Sequence, residues 1–386
     1  MDGDEKASVV QRPASMKENT REHSQWLAAL PRLDRQGDGM RTFAGMLMSL
    51  LVTPRSILLI DEPEVFLHPP QIRRLAEAMV EASLNCQIIV ATHNDEFVRA
   101  LLDHSGERVT VARLERSGNI NPTSVLSANE VVKLWVDPLL RTSDVLSALF
   151  HQAAIICEGE TDARFFRAML DASSSDQRNP DVRFYHFGGK DRIASIASAL
   201  RAIRVPVVAI VDIDALSSTQ KFITLYESLG GHAEDIKADL MMINQAVSAR
   251  KGQLDAREMV TELKRAIAKI EGANSVSPEV RNDIQGLARL SNHWQKIKEA
   301  GYRAIGDASL IQAYERVRAR SKAVGVMIIP EGELEGFCRE ISRRDKGEWL
   351  AADLERDLIR DPSLLDAREF VRDIKACVEE RLHAQT

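Results

Sequence analysis

The sequence predicts an α/β protein built on parallel sheets with a long helical insertion. Three stretches carry that prediction. Ala153-Ala154-Ile155-Ile156-Cys157 is an apolar run of strand length that delivers Glu158 at its end, and Gly159 permits a sharp turn into a helix. Val205-Pro206-Val207-Val208-Ala209-Ile210-Val211 is a second such run, ending in Asp212-Ile213-Asp214. Ser56-Ile57-Leu58-Leu59-Ile60 is a third, ending in Asp61-Glu62. Each is followed by a helical pattern, and aliphatic runs of this kind suit strands buried on both faces of a parallel sheet.

The bulk numbers set the frame. A chain of 386 residues holds two or three domains with ample core material. Its 44% hydrophobic and 28% charged residues describe an ordinary soluble globular protein. No apolar run reaches transmembrane length; the longest, around Ala44 to Val52, reads as a buried helix, so no membrane is expected. The polar N-terminus reads as neither secretory nor mitochondrial. Cys86, Cys157, Cys338 and Cys377 lie far apart without a CxxC pair, which argues against a zinc ribbon or a disulfide scaffold and fits a reducing, cytoplasmic setting. A net charge of −6 does not advertise nucleic-acid binding, yet phosphate affinity follows local rather than total charge.

Taken in order, residues 1–24 form a polar N-terminus without periodicity. Gln36-Gly37-Asp38-Gly39-Met40-Arg41 is a glycine turn opening an apolar helix through Leu51, a geometry that offers backbone N–H groups to an anion. The Ser56–Glu62 strand follows, then a loop from Glu64 to Pro70, a helix from Gln71 to Ser83 and a strand over Gln87 to His93. This ordered set resembles the C-terminal half of an ABC-type ATPase: a signature-like turn at Gly37 to Gly39, a Walker B end at Asp61-Glu62 and a switch histidine at His93. The resemblance implies that Asp61 holds Mg²⁺ through water, Glu62 orients the attacking water and His93 contacts the γ-phosphate of ATP. No GxxxxGK[ST] cradle occurs in the sequence. The expectation is that the chain alone does not hydrolyse ATP, being a fragment, a degenerate relative or one half of a composite site with a partner; Asp61 and Glu62 can equally be an idle strand end. Val109 to Leu114 and the segment around Val131 to Val136 read as strands or extended connectors finishing this sheet, which assigns residues 25–140 to the ATPase-like domain.

The middle of the chain carries the chemistry. Thr161 suits the N-cap of the helix after Glu158, with Asp162 in its first turn. Asp212 and Asp214 share a face if the strand persists through them. Carboxylates gathered at one sheet edge repel each other unless cations lie between them, and oxygen-only ligands suit Mg²⁺ or Mn²⁺. The Glu158 and Asp212/Asp214 pairing, with a Phe187-Gly188-Gly189-Lys190 turn between, resembles the TOPRIM fold of topoisomerases, primases and some nucleases. An ATPase of ABC type followed by TOPRIM is the arrangement of the OLD (overcoming lysogenization defect) family of ATP-dependent nucleases. The strings Ala148-Leu149-Phe150, Glu158-Gly159-Glu160-Thr161-Asp162 and Val211-Asp212-Ile213-Asp214 are similar to that family. Topoisomerase and primase chemistry fit less well, since the tyrosines form no evident constellation and the cysteines no zinc module.

TOPRIM then occupies residues 148–232, and residues 233–322 read as a helical insertion. The insertion offers Arg250, Lys251, Lys264, Arg265, Lys296 and Lys298 either to DNA or as ordinary solvated helix faces. Residues 323–386 complete TOPRIM with a strand over Ala323 to Ile329, the acids of Pro330-Glu331-Gly332-Glu333-Leu334-Glu335, and packing helices. By the resemblance, Glu335, with Glu333 as second choice, completes a second metal position beside Glu158, Asp162, Asp212 and Asp214. Lys346 is a candidate to steady phosphate charge, or a surface lysine. Two-metal DNA cleavage is the function expected, in phage defence or DNA processing. DNA is the expected partner, and a second copy or an ATPase subunit is also a candidate partner. The alternative is a non-catalytic nucleotide- or DNA-binding regulator.

Overall fold

The computed structural model describes residues 20–30, 32–52, 55–105, 107–116, 119–136, 144–173, 179–186, 190–250, 256–269, 277, 280–281, 293–340 and 346–384. The chain divides into two compact units, residues 1–105 and 106–386.

In the first unit, β1 (Ile57–Asp61) pairs in parallel with β2 (Gln87–Ala91), in register from Ile57 opposite Gln87 to Asp61 opposite Ala91. Ile60, Ile88 and Val90 face a core made by Ile72, Leu75, Ala76 and Met79 of the Pro69–Ala82 helix and Phe97 and Ala100 of the Asp95–Ser105 helix. Phe43, Met46 and Leu47 of the Asp38–Leu51 helix pack on the same core. The other face departs from the sequence expectation. Ile57, Leu59 and Ile89 are exposed, Leu59 by 72%. All three helices lie on one side, and strand residues alternate sides. For the same reason the Ala44 to Val52 run is not buried throughout: Met48, Leu51 and Val52 point to solvent.

In the second unit, four parallel strands run in the order β6 (Val182–His186), β5 (Ala153–Cys157), β7 (Val207–Val211), β8 (Val326–Ile328). Every residue of β5, β7 and β8 is buried, as parallel strands covered on both faces require. Ile155, Cys157, Val208 and Ile210 meet Phe165, Phe166 and Met169 of the Glu160–Ala172 helix, Trp349 of the Lys346–Leu354 helix, and Phe370, Val371 and Ile374 of the Leu365–His383 helix. Phe165, Phe166, Phe337 and Phe370 form one aromatic cluster with centroids 5.5–6.4 Å apart. The Lys190–Ala202 helix packs against β5 and β7.

Among the described residues the insertion holds no strand, and its helices include Lys237–Ser248, Ala256–Ala268, His293–Ala300 and Ala308–Val324. The last extends over Ala323 and Val324, which the sequence suggested were strand. Gly325 ends it in the left-handed conformation (φ +91°), so β8 starts only at Val326.

β3 (Val111–Leu114) and β4 (Thr123–Leu126) form an antiparallel hairpin, and residues expected as a strand from Val131 lie in the Ala128–Trp135 helix. Within the second unit, buried Arg113 ties the hairpin to the segments that lead into β5 and β7. Its guanidinium donates to the carbonyls of His151 (2.6 Å), Leu149 (3.1 Å), Arg204 (3.1 Å) and Gln152 (3.3 Å) and pairs with Glu115. Arg113→Met would leave these carbonyls without their donor, and each unmet buried group costs about 1–3 kcal/mol. Urea unfolding followed at the buried Trp294 and Trp349 should show a loss of about 3 kcal/mol. Arg183→Ala, which breaks only the exposed pair with Asp144, should cost less than about 1 kcal/mol.

Candidate metal centre

The centre forms where β5 and β7 end side by side, the crevice at which parallel sheets gather ligand groups. β5 stops at Cys157, and Glu158 is the first residue past the sheet. Gly159, not Thr161, is the N-cap of the following helix. Gly159 has no side chain to cap with, so the acceptor comes from the first turn: Asp162 Oδ2 receives the Gly159 N–H at 3.0 Å. Buried Asp162 thus acts as a capping residue at the foot of the cluster.

The second arm differs from the extended geometry assumed from sequence. β7 ends at Val211, Asp212 is still extended, and the chain then tightens into a 3₁₀ turn over Ile213–Ser217. Asp212 and Asp214 converge through this turn rather than by strand alternation. The Asp212 N–H donates to Glu158 Oε1 at 2.9 Å, locking the two strand ends together. Glu158, Asp212 and Asp214 each offer an oxygen within 4.8 Å of the other two. Three carboxylate oxygens from two adjacent turns fit a hard divalent cation.

Lys298 enters this cluster from the His293–Ala300 helix, against the expectation of a solvent- or DNA-facing cation. Its Nζ lies 2.6 Å from Asp212 Oδ2 and 3.8 Å from both Asp214 Oδ2 and Glu333 Oε2. Burial by itself would lower the Lys298 pKa, but Asp212 and then Asp214 overcome it and hold the ammonium charged. The neighbouring Cys157 thiol is pushed up, first by its complete burial and then by Asp162, Glu158 and Asp212, so it stays protonated and unreactive. Glu333 therefore joins the cluster through Lys298. Glu335, preferred from sequence, is buried and lies outside the three-carboxylate group.

Of the other basic candidates, Arg250 is structural, donating to the Ala304 and Ile305 carbonyls. Arg265 pairs with Glu262, and Lys264 and Lys296 are exposed. Lys251, Phe187 to Gly189 and the Lys346 side chain lie outside the described residues. Sequence reasoning missed Lys298 as a member of the site because nothing local to it marks the contact.

In the first unit, β1 and β2 bring their polar ends together. His93 Nδ1 is 3.3 Å from Glu62 Oε1 and 3.8 Å from Glu64 Oε1. Glu64, which the sequence did not single out, is buried and accepts from Thr92 Oγ1 at 2.6 Å. Glu62 adopts φ +44°, a conformation a non-glycine residue rarely holds, while its N–H bonds the Ala91 carbonyl. Asp61 closes β1. Gly37 caps the Asp38–Leu51 helix, and a Cβ on Gly39, within the first turn of that helix, would run into the Phe66 carbonyl oxygen, so close packing calls for glycine there.

Comparison with known proteins agrees with this division. Residues 149–214 match the family model described as "Overcoming lysogenization defect protein-like, TOPRIM domain". Residues 3–99 match a model for an AAA domain (AbiEii, Type IV TA system). The Old nuclease of Escherichia phage P2 is 25% identical over 169 residues, which is 42% of this chain and 28% of that protein. The match thus spans little more than a quarter of the length of that curated relative.

Asp162→Ala removes the acceptor for the Gly159 N–H, and thermal or urea unfolding should register a loss of about 1 kcal/mol. Asp162→Asn, which keeps an acceptor oxygen, should be close to neutral.

Proposed function

We propose that this chain, which carries an AAA ATPase-like domain and the TOPRIM domain of the OLD family, is a divalent-metal-dependent DNA phosphodiesterase that nicks or cleaves its substrate. The observation that carries the reading is the convergence of Glu158, Asp212 and Asp214 at the sheet edge. These side chains would hold Mg²⁺ or Mn²⁺, with Asp162, Glu333 and Glu335 behind them as further candidates. A bound ion would supply charge for activating water and for easing departure of the leaving oxygen. The protein's own part is orientation. The Asp212 N–H fixes Glu158, the capped helix keeps Gly159 and Asp162 in register, and burial of β5 and β7 keeps the strand ends rigid.

DNA is the proposed substrate, and phage defence or DNA processing the proposed setting. In the first unit, Asp61, Glu62 and His93 with Gly37 and Gly39 are proposed as an ATP-facing edge that works only when a phosphate cradle comes from outside the present sequence. Among the described residues no helix is long and apolar enough to cross a membrane, and the four cysteines are free. The competing reading, a non-catalytic DNA- or nucleotide-binding regulator, draws on the ammonium already among the carboxylates and on the missing GxxxxGK[ST].

Supercoiled plasmid with Mg²⁺ or Mn²⁺ separates the two. The nuclease reading expects nicking that EDTA abolishes and that Glu158→Ala and Asp212→Ala each reduce by on the order of 100-fold or more, since even outer-shell losses at metal sites cost about 10–100-fold. Equal nicking by wild type and both variants, or none by any of them, removes this reading. Phosphate release from ATP by the chain alone should stay at background.

A further inference from the structure

We propose that Lys298 is a tethered cation occupying the second cation position of the acid cluster, so that the site accepts one divalent ion rather than two. The inference rests on the metal-site reading above and narrows it. The ammonium lies within 3.8 Å of the carboxylates of Asp212, Asp214 and Glu333, and the side chain is only 17% exposed. The ammonium is a compact point charge, at hydrogen-bonding distance from Asp212 and within ion-pairing reach of Asp214 and Glu333.

The position is built into the fold. The His293–Ala300 helix is anchored by buried Trp294 and Ile297. Its last turn is clasped by the loop that carries Glu333. Gly332, at φ +101°, lies so close to the helix that a Cβ there would stand 2.0 Å from the Lys298 carbonyl oxygen. The Gly332 carbonyl accepts from Ile213 N–H at 2.9 Å, inside the Asp-x-Asp turn. The Tyr302 N–H donates to the Pro330 carbonyl at 2.9 Å, and Arg339 Nη2 to the Ala300 carbonyl at 3.2 Å. Helix end, glutamate loop and aspartate turn therefore form one assembly, and the Lys298 side chain projects from it into the cluster. A second divalent ion would have to displace this ammonium or bind against its repulsion.

This assigns the insertion a chemical part: it acts as a positioning element that supplies one of the cluster's two cations as a permanent side chain. It also replaces the two-metal arrangement expected from sequence with one ion plus one lysine.

The test is the stoichiometry of Mn²⁺ binding to the full chain, read by calorimetry and by the loss of the free-ion paramagnetic resonance signal, independently of cleavage. Wild type should saturate at one ion per chain. Lys298→Met should saturate at two, Lys298→Arg should stay at one, and Lys296→Met, an exposed change on the same helix, should match wild type. Two ions on wild type overturn the proposal even if Lys298→Met fails to fold. One ion on both wild type and a folded Lys298→Met also overturns it, while leaving the metal site itself standing. No saturable uptake by any of the proteins removes the metal reading and this inference together.

Discussion

Like charges brought together at the end of a buried sheet are the constraint on which the rest of the second unit depends. Glu158, Asp212 and Asp214 approach within 4.8 Å of one another where solvent screening is weak. Such a cluster persists only with compensation, and the fold supplies two kinds. One is the backbone N–H of Asp212 on Glu158, and the other is the ammonium of Lys298 on Asp212. The first needs β5 and β7 to be neighbours, and the second needs the insertion to return to the sheet edge. The apolar core of Phe165, Phe166, Phe337 and Phe370 keeps the capped helix and the glutamate loop in place behind them.

The two central strands were legible in the sequence, whereas β6 was not singled out. Strands that are buried on both faces must be nearly all aliphatic, so β5 and β7 stand out as runs, and the carboxylates follow where the runs stop. Gly159 marked the turn. What was not legible depended on contacts between distant segments. The 3₁₀ turn after Asp212 rests on the Gly332 carbonyl that holds Ile213. The choice of Gly159 over Thr161 as helix cap turned instead on a local bond that Asp162 accepts from the Gly159 N–H. Lys298 belongs to an amphipathic helix with charged neighbours, and nothing in its local pattern separates it from exposed Lys296. The choice between Glu333 and Glu335 was equally hidden, because two residues of the same type on either side of Leu334 differ only in which way the turn points them.

The first unit shows the complementary case. Motif order singled out Asp61, Glu62 and His93, and adjacent parallel strands bring Glu62 and His93 together. The expectation that β1 was covered on both faces came from composition alone. Composition cannot say on which side the helices lie, and here the three that pack on the sheet cover the same side, leaving Leu59 and Ile89 in solvent. The buried Glu64 behind His93 escaped notice because a loop glutamate is ordinarily a surface residue.

The central claim is that residues far apart in the chain form one ion-holding pocket beside a resident ammonium. Anomalous diffraction from crystals soaked in Mn²⁺ addresses it directly. The account predicts a single manganese peak, about 2.2 Å from oxygens of Glu158, Asp212 and Asp214, with the Lys298 ammonium still bonded to Asp212. A peak bound elsewhere, or Glu158 turned away from the two aspartates with no ion between them, would contradict it.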